Sequence, residues 1–284
     1  MPSRSSALAE RTTPGTSVAM SVGVSDASGA TGIQADLKTF SVMGVYGTAA
    51  VTSVRAVNTR GVKGAQAIDG GAVRDQINAI ATDFEVKASK VSGLADAATL
   101  EEVAQSMQRL NLFPIVVDPS FAAKGTEPVD DPDAIRVLCQ RMLPLAALVT
   151  ANPAEAARLL DRRDPIDDPY GARDAGTEIR RRYGVAACVI TGFRRDNDHE
   201  GEAVDVLVND EGQHELVGDW RPTDNTLGAG GVFSGAVTAA LALGQPTAEA
   251  LQTAKQVVSE SIRQTTDLGQ GASPVNVLAY ADVD

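Results

Sequence analysis

The sequence predicts a layered α/β fold, in which a mostly parallel sheet is covered by helices on both faces. Its composition favours this class, because 43% of the residues are hydrophobic but only 4% are aromatic, which suits strands packed closely against helices. Its pattern favours it too, since short Val/Ala-rich runs alternate with longer amphipathic runs from Ser17 onwards, as in successive β-α units. A chain of 284 residues is long enough for one large domain of this kind.

The elements follow in order along the chain. The run SVAMSVGV predicts the first strand, and TGIQADLKTFSVMG predicts a helix with Ile33, Leu37 and Phe40 on one face. Further strands are predicted at residues 45–56, 86–91, 114–118, 146–150 and 186–191. Helices are predicted between them near 70–83, 97–110, 132–142, 153–161 and 171–183. Right-handed crossovers should connect the parallel strands.

The pattern changes after residue 200. The runs VDVLVND and QHELVG predict an antiparallel edge hairpin with its turn at Glu211 and Gly212. A helix of small residues, VFSGAVTAALALG, and a last helix from about Thr247 to Arg263 complete the series. Without an internal repeat or a long linker, we expect residues 17–284 to form a single domain, preceded by a flexible extension at residues 1–16.

Charge and hydropathy exclude several classes of function. The net charge of −12 argues against nucleic acid as a partner, because binding a polyanion requires many Lys and Arg contacts. No apolar run approaches the ~18 residues of a membrane span, and no hydrophobic signal segment is evident, so we expect a cytoplasmic protein without membrane contact. The two cysteines, Cys139 and Cys188, indicate neither a disulfide framework nor a metal site.

A glycine segment near the C-terminus is the first candidate site. In DNTLGAGGVFSGAVTAA, Gly228, Gly230 and Gly231 immediately precede a predicted helix. Backbone N–H groups can converge there on one point, and the helix dipole favours an anion at the same end. The segment predicts a phosphate site, with an ordinary glycine-rich turn as the alternative.

Three further candidates follow predicted strands. In VSDASGATGIQADLKTF, Asp26 lies in a strand-to-helix loop, while Gln34 and Asp36 open the helix. Ligands of open α/β sheets bind at such strand ends. Gln34 could bind the edge of a heterocycle, whereas Asp36 could simply complement the helix dipole.

The other two candidates are VVDPSFAAKG, whose strand ends at Asp118, and LVTANPAEAARLL, where Asn152 and Glu155 open a helix. Asn152 and Glu155 have the spacing of a helix capping box. Indirect ligation of magnesium by Glu155 is the functional alternative.

Together these segments resemble the ribokinase-like superfamily, and most closely the hydroxymethylpyrimidine/phosphomethylpyrimidine kinases of thiamin synthesis. The resemblance spans residue 17 to about 270, and GIQADLKTF, VNTRGV, VVDPSFAAKG, TANPAEA and NTLGAGG carry it. It implies a ribokinase-like three-layer α/β/α fold with a site along the carboxyl edge of the sheet. It also implies ATP, Mg²⁺, a possible homodimer, and phosphorylation of 4-amino-5-hydroxymethyl-2-methylpyrimidine or its monophosphate.

The resemblance also implies a role for each matching residue. An anion hole would comprise Gly228, Ala229, Gly230 and Gly231. The pyrimidine pocket would contain Val24, Asp26, Gln34, Ser92 and Gly93. The nucleotide would contact Asn152, Thr191, Gly192 and Lys124. Glu155 and Asp118 would serve the metal.

The sequence departs from the family at the ligand. The family's cysteine, which takes the proton of the substrate hydroxyl, falls on Gly231, so no side-chain base stands there; Asp26 or Asp224 could substitute. The remaining replacements are Leu227 for a histidine, Thr191, Gly192 and Phe193 for a Lys-Gly-Gly-His segment, Ser92 and Gly93 for Gly-Met, and Val24 for a glycine.

Three hypotheses therefore stand. The first is a pyrimidine kinase with an altered base. The second is a kinase of a pyridoxal-type compound, motivated by Val24, Ser92 and Gly93. The third is a non-catalytic ligand-binding relative, motivated by Gly231 and Leu227.

Overall fold

The computed structural model describes residues 15–93, 96–120, 131–196, 201–265 and 267–282. Within them, one sheet runs in the order β3-β2-β1-β4-β5-β6-β7-β8-β9. The strands from β2 to β7 in this order are mutually parallel, whereas β3, β8 and β9 are antiparallel to their neighbours. The strands are β1 (Val18–Asp26), β2 (Tyr46–Asn58), β3 (Gly61–Ala67), β4 (Val86–Ser92), β5 (Ile115–Asp118), β6 (Leu148–Ala151), β7 (Cys188–Arg195), β8 (Glu202–Asn209) and β9 (Gly212–Asp219).

Helices cover both faces of the sheet. They are α1 (Gly32–Val42), α2 (Gly70–Ala81), α3 (Ala97–Arg109), α4 (Pro132–Val137), α5 (Pro153–Leu159), α6 (Pro169–Tyr183), α7 (Ala229–Ala242) and α8 (Thr247–Arg263). A π-helical turn at Leu138–Met142 and 3₁₀ turns at Leu143–Leu145 and Val277–Asp282 complete the described elements. Asp69, Asp96 and Asp168 cap the first turns of α2, α3 and α6, which explains where these helices begin.

The hydrophobic core has two layers because strand side chains alternate between the two faces of the sheet. On β5, Ile115 and Val117 pack with α2 to α6, whereas Val116 packs with α7 and α8. Phe40 of α1 packs against β1 and α7 on this second face. The predicted three-layer α/β/α class is therefore confirmed.

The sequence missed or misplaced a few elements. It predicted no strand at β3, where six of the seven residues are exposed and no apolar alternation exists. The hairpin turn lies at Asp210 and Glu211, one residue before the predicted position, because Gly212 already pairs with Asn209. The helix predicted at 132–142 is α-helical only as far as Val137, the end of α4, and its remaining residues form the π-helical turn.

The start of α7 has the greatest consequence for function. The helix begins at Ala229, so Gly230 and Gly231 belong to its first turn and do not precede it.

Among the described residues, no helix combines the length and apolar character needed to cross a membrane. Residues 1–14 lie outside the described ranges, and the division into an extension and a domain at residue 17 stays a prediction.

Candidate active site

A cavity of about 260 Å³ opens at the carboxyl edge of the parallel strands. Its walls come from the ends of β1, β2, β4, β5, β6 and β7 and from the first turn of α7, so it extends along much of the sheet. With strands ~4.8 Å apart, the five steps from β2 to β7 span roughly 24 Å. The lining residues include Val24, Thr31, Arg55, Lys90, Ser92, Gly93, Asp118, Ser120, Asn152, Glu155, Thr191 and Leu227 to Gly231.

The first turn of α7 presents backbone to this cavity. Gly228 precedes the helix with φ of 85°, and a Cβ there would lie 2.1 Å from the carbonyl oxygen of Ala30. A Cβ at Gly230 or Gly231 would have no neighbour within 4 Å. The first N–H groups of a helix have no intrahelical partner and carry the positive end of its dipole. This turn can therefore bind an anion.

A buried lysine holds this turn from below. Lys90, only 1% exposed, donates to Asp36 Oδ1 at 2.5 Å and to the carbonyl oxygen of Gly231 at 3.0 Å. Asp36 is fully buried and also accepts from Ser21 at 2.6 Å. Burial raises the pKa of Asp36, while Lys90 and the hydrogen bond from Ser21 oppose that rise. Asp36 therefore anchors Lys90, a role well beyond helix-dipole complementarity.

Asp118 lies beside Lys90 and contacts α7. One of its oxygens lies 3.8 Å from Lys90 Nζ and accepts from Ser234 of α7 at 2.7 Å. Its other oxygen accepts from Ser120 at 2.5 Å. The middle of the sheet edge thus carries a cation and a carboxylate directly beneath the start of α7.

Glu155 lines the cavity on the neighbouring strand end. It forms the predicted capping box, since it accepts from the backbone N–H of Asn152 and the Asn152 side chain accepts from the N–H of Glu155, both at 2.9 Å. Burial, and secondly the negative charge of Asp118, raise the pKa of Glu155 to about 8. Capping and metal binding are compatible, because the helix uses only one oxygen of Glu155.

These two carboxylates fit Mg²⁺, which usually binds one or two protein carboxylates and completes its shell with water and phosphate. The rise in the Glu155 pKa caused by Asp118 indicates two like charges facing one space, and a cation would relieve that repulsion. Across the described ranges, His, Cys, Asp and Glu form no group of three or more that could hold a metal without such help.

On the β7 side, Thr191 lines the cavity, whereas Gly192, also predicted to contact the nucleotide, is absent from the lining. The register between β7 and β8 shifts between Ile190 and Phe193, and Gly192 donates its N–H there to Asp205 at 2.9 Å. Asp205 in turn accepts from Lys255 at 2.7 Å. Thr191 is thus on the cavity wall, while Gly192 shapes the strand that carries it.

The residues predicted to bind the pyrimidine divide into two groups. Val24, Ser92 and Gly93 line the cavity. Asp26 and Gln34 are absent from its lining, as is Asp224, so neither proposed substitute base is on the wall.

Asp26 and Gln34 organise the loop after β1. The Asp26 carboxylate accepts from the backbone N–H and hydroxyl groups of Ser28 and Thr31. The Gln34 side chain accepts from the N–H of Asp26 at 2.8 Å and donates to Ser25 at 2.7 Å. A role for Gln34 in binding the heterocycle would require these two bonds to be exchanged.

Sequence reasoning gave no role to Arg55 or Lys90. Arg55 is the one charged residue of VTSVRAVN, and Lys90 lies beside the apolar end of VKASKVS, whose other charge is Lys87; a charge within such a strand is the signal that could have identified them. Lys124, predicted to contact the nucleotide, lies outside the described residues.

Comparisons with known proteins identify the family of this chain. The family model for phosphomethylpyrimidine kinase matches residues 26–276. The chain belongs to the phosphomethylpyrimidine kinase family. A hydroxymethylpyrimidine/phosphomethylpyrimidine kinase from Rhizobium meliloti is 35% identical over 263 residues, which cover 92% of this chain and 97% of that protein. The resemblance stated from the sequence motifs is thereby confirmed.

Two further relatives extend the picture. The thiamine biosynthesis bifunctional protein ThiED from Geobacter sulfurreducens is 36% identical over 93% of this chain, and the chain spans about half of its length, 53%. A solved ADP complex of Bacillus subtilis pyridoxal kinase superposes with a TM-score of 0.84 at 33% identity, covering 93% of this chain and 98% of that one. The family is thus one of phosphotransferases, and the fold is shared with pyridoxal kinases.

Proposed function

We propose that this chain transfers the γ-phosphoryl group of ATP to an aminopyrimidine, 4-amino-5-hydroxymethyl-2-methylpyrimidine or its monophosphate, with Mg²⁺. The observation that carries the proposal is the first turn of α7, which has no side-chain cap and faces the cavity beside Lys90 and Asp118. A transferring phosphoryl group is anionic and needs positioning and charge neutralisation more than covalent assistance. An open helix N-terminus beside a cation supplies both.

In this proposal the two halves of the cavity have different ligands. Asn152 and Glu155, at the start of α5 just after β6, and Thr191 of β7 serve the nucleotide. Val24 of β1, Ser92 at the end of β4 and Gly93 after it serve the acceptor. The phosphoryl group would pass between the halves, beneath Gly228 to Gly231. The family resemblance supports this assignment of the two halves, and the order of the strands leaves space for two ligands along the cavity.

Each charged group then has a definite task. Lys90 holds the carbonyl of Gly231 and thereby fixes the orientation of the N–H groups of the α7 first turn. Asp36 accepts a hydrogen bond from Lys90 and so holds it in place. Asp118 and Glu155 would hold Mg²⁺, which, when bound, neutralises the charge of the nucleotide phosphates. Glu155 would have to release its proton to hold Mg²⁺ at neutral pH, because burial and the charge of Asp118 raise its pKa to about 8.

A second acceptor class is a pyridoxal-type compound. The similarity to the Bacillus subtilis pyridoxal kinase favours it, although the Rhizobium meliloti pyrimidine kinase matches this chain at least as well in sequence. Both acceptors are small heteroaromatic hydroxymethyl compounds, so the fold alone does not separate them.

An acceptor screen tests the proposal. The purified protein is incubated with Mg²⁺ and ATP and, in turn, the hydroxymethylpyrimidine, its monophosphate and pyridoxal, and the products are quantified by phosphorus NMR. We expect a new phosphoester or diphosphate signal with a pyrimidine acceptor. Phosphorylation of pyridoxal alone would assign the chain to the second acceptor class. If no ADP formed with any of the three acceptors, both acceptor classes would be contradicted.

A further inference from the structure

The C-terminal segment, residues 267–276, docks on the turn between β2 and β3. Thr59 lies in that turn, and its hydroxyl oxygen accepts from the backbone N–H groups of Gln270 and Gly271, both at 3.1 Å. Its carbonyl oxygen accepts from the N–H of Ala272, also at 3.1 Å. One residue of the hairpin therefore binds three consecutive backbone donors of a segment that is distant in sequence.

Two glycines bring this segment close to Thr59. A Cβ at Gly271 would lie 2.1 Å from the carbonyl oxygen of Thr59 and 2.9 Å from the backbone nitrogen of Arg60. A Cβ at Gly269 would lie 2.4 Å from the Thr59 hydroxyl oxygen. Non-bonded carbon atoms pack at ~3.5–4.0 Å, so neither position has room for a side chain. Water can replace the hydrogen bonds of this exposed turn, but it cannot relieve a clash with the backbone.

The same segment pairs with the residue that precedes the anion-binding turn. Leu227 donates its N–H to the carbonyl oxygen of Ser273 at 3.3 Å and accepts from the N–H of Val275 at 3.0 Å, which forms a short parallel bridge. The buried Ser273 hydroxyl braces the segment internally, since it accepts from the N–H of Leu268 at 2.9 Å. Leu227 is buried, lines the cavity and directly precedes Gly228. The segment thus joins the β2–β3 turn to the start of α7.

The turn that starts at Gly228 is also fixed at other points. Gly228 approaches the loop after β1 so closely that a Cβ would lie 2.1 Å from the carbonyl oxygen of Ala30. Lys90 holds the carbonyl oxygen of Gly231 at 3.0 Å. Such placement matters, because a misplacement of ~1 Å can cost about 10²-fold in rate. Thr59 is absent from the cavity lining, so it reaches the ligands only through the C-terminal segment.

We propose that Thr59 and Gly271 are positioning residues for phosphoryl transfer. Their contact sets the path of the C-terminal segment, and the pairing of Ser273 and Val275 with Leu227 carries that position to the anion-binding turn. The inference rests on the proposed function and adds to it two residues that touch neither ligand. Because β2 borders the cavity, the contact also ties one cavity wall to this turn.

Four variants separate this role from a general effect on stability. Gly271→Ala forces the segment away from the Thr59 backbone. Gly64→Ala is the matched control, since it makes the same change on β3 of the same hairpin, where a Cβ has no neighbour within 4 Å. Thr59→Val is a milder variant that keeps the shape and removes the hydroxyl acceptor, whereas Thr59→Ser keeps that acceptor.

Hydrogen exchange followed by mass spectrometry, on the protein without ligands, measures the linkage itself. We expect Gly271→Ala to speed exchange about three- to tenfold in peptides covering residues 267–276 and also in those covering 224–231, as expected when about one net hydrogen bond is lost. Thr59→Val should act in the same direction, while Thr59→Ser and Gly64→Ala should match the unmodified protein. Faster exchange confined to residues 267–276 would overturn the inference.

Steady-state kinetics with Mg²⁺, ATP and a pyrimidine acceptor measure the consequence for transfer. We expect Gly271→Ala to lower kcat about ten- to a hundredfold while each KM changes less than about twofold, because positioning acts on the transition state. Thr59→Ser should retain most of the kcat that Thr59→Val loses. An unchanged kcat, or a rise in both KM values alone, would contradict the positioning role even where thermal melting shows a loss of stability.

The two measurements distinguish failure of this inference from failure of the proposed function. An unmodified protein without activity would contradict the kinase function, and the exchange experiment would still decide whether Thr59 controls the turn. If Gly271→Ala does not fold, Thr59→Val carries both measurements, with Thr59→Ser as its control.

Discussion

The buried pair of Lys90 and Asp36 offers the sharpest test of how the site is built. Their side chains are 1% and 0% exposed, and the charged atoms are 2.5 Å apart. At an effective dielectric constant of 20, that separation corresponds to a gross attraction of about 6–7 kcal/mol, much of which offsets the desolvation of both groups. Removing one partner leaves the other charge buried, which costs about 3–5 kcal/mol.

We therefore expect Lys90→Met to lower the free energy of unfolding by about 3–5 kcal/mol, and Asp36→Asn to lower it by a smaller amount because Asp118 still faces Lys90. The double variant should be more stable than the sum of the single losses implies, with a coupling of about 2–3 kcal/mol. Urea unfolding at pH 7, followed by circular dichroism, measures the free energy of unfolding of the unmodified protein, the two single variants and the double variant.

Lys87→Met is the matched control, since Lys87 lies on the same strand, is 46% exposed and pairs only with exposed Glu85 among the described residues. It should change stability by no more than ~0.5 kcal/mol. Losses for Lys90→Met and Asp36→Asn that simply add, or a Lys90→Met loss as small as that of Lys87→Met, would refute the anchoring role of the pair.

Three further predictions concern neighbouring parts of the site. Because the pKa of Glu155 is raised to about 8 in the folded chain, the unfolded chain releases this proton at lower pH, so stability should fall as pH rises from about 4.5 to 8. Glu155→Gln should remove about 1–3 kcal/mol of that fall, as measured by urea midpoints at pH 5, 7 and 8.5; parallel profiles would exclude the effect. Gly228→Ala should lower the free energy of unfolding by more than about 2 kcal/mol and remove most of the activity, since φ is positive there and the new Cβ would meet the Ala30 carbonyl. Gly230→Ala is the control, because it has open space and should lower the free energy of unfolding by about 1 kcal/mol or less. Equal unfolding free energies for the two variants would contradict the close approach at Gly228. Asp26→Asn should cost about 1–3 kcal/mol, because an amide N–H₂ would face a backbone donor of the loop, and an unchanged melting temperature would contradict that arrangement.

The sequence predicted the layered fold well because local patterns carry that information. Continuous apolar runs such as Ile115 to Val117 mark strands that are buried on both faces. The strand β3 carries no such pattern, since its residues are held by pairing with β2 in the open and not by burial. Its existence depends on the partner strand, which single-sequence periodicity does not encode.

The candidate site was predicted unevenly for a similar reason. Residues at or just after strand ends, such as Ser92, Asp118 and Asn152, follow from topology and do line the cavity. The hydrogen bonds that occupy Asp26 and Gln34 depend on loop geometry, which their positions in the sequence do not reveal. Lys90 joins residues 36, 118 and 231, distant in sequence, and its partners become evident only in three dimensions.

The central claim is that the first turn of α7 is a working phosphoryl-transfer site although residue 231 is glycine. Single-turnover phosphorylation of the hydroxymethylpyrimidine and of its monophosphate with Mg²⁺ and ATP tests it most directly, with Gly231→Cys beside the unmodified protein, because position 231 has room for the side chain. The account predicts product from the unmodified protein with one or both acceptors, and a gain of alcohol phosphorylation in Gly231→Cys. The absence of product from both proteins with both acceptors would contradict this claim.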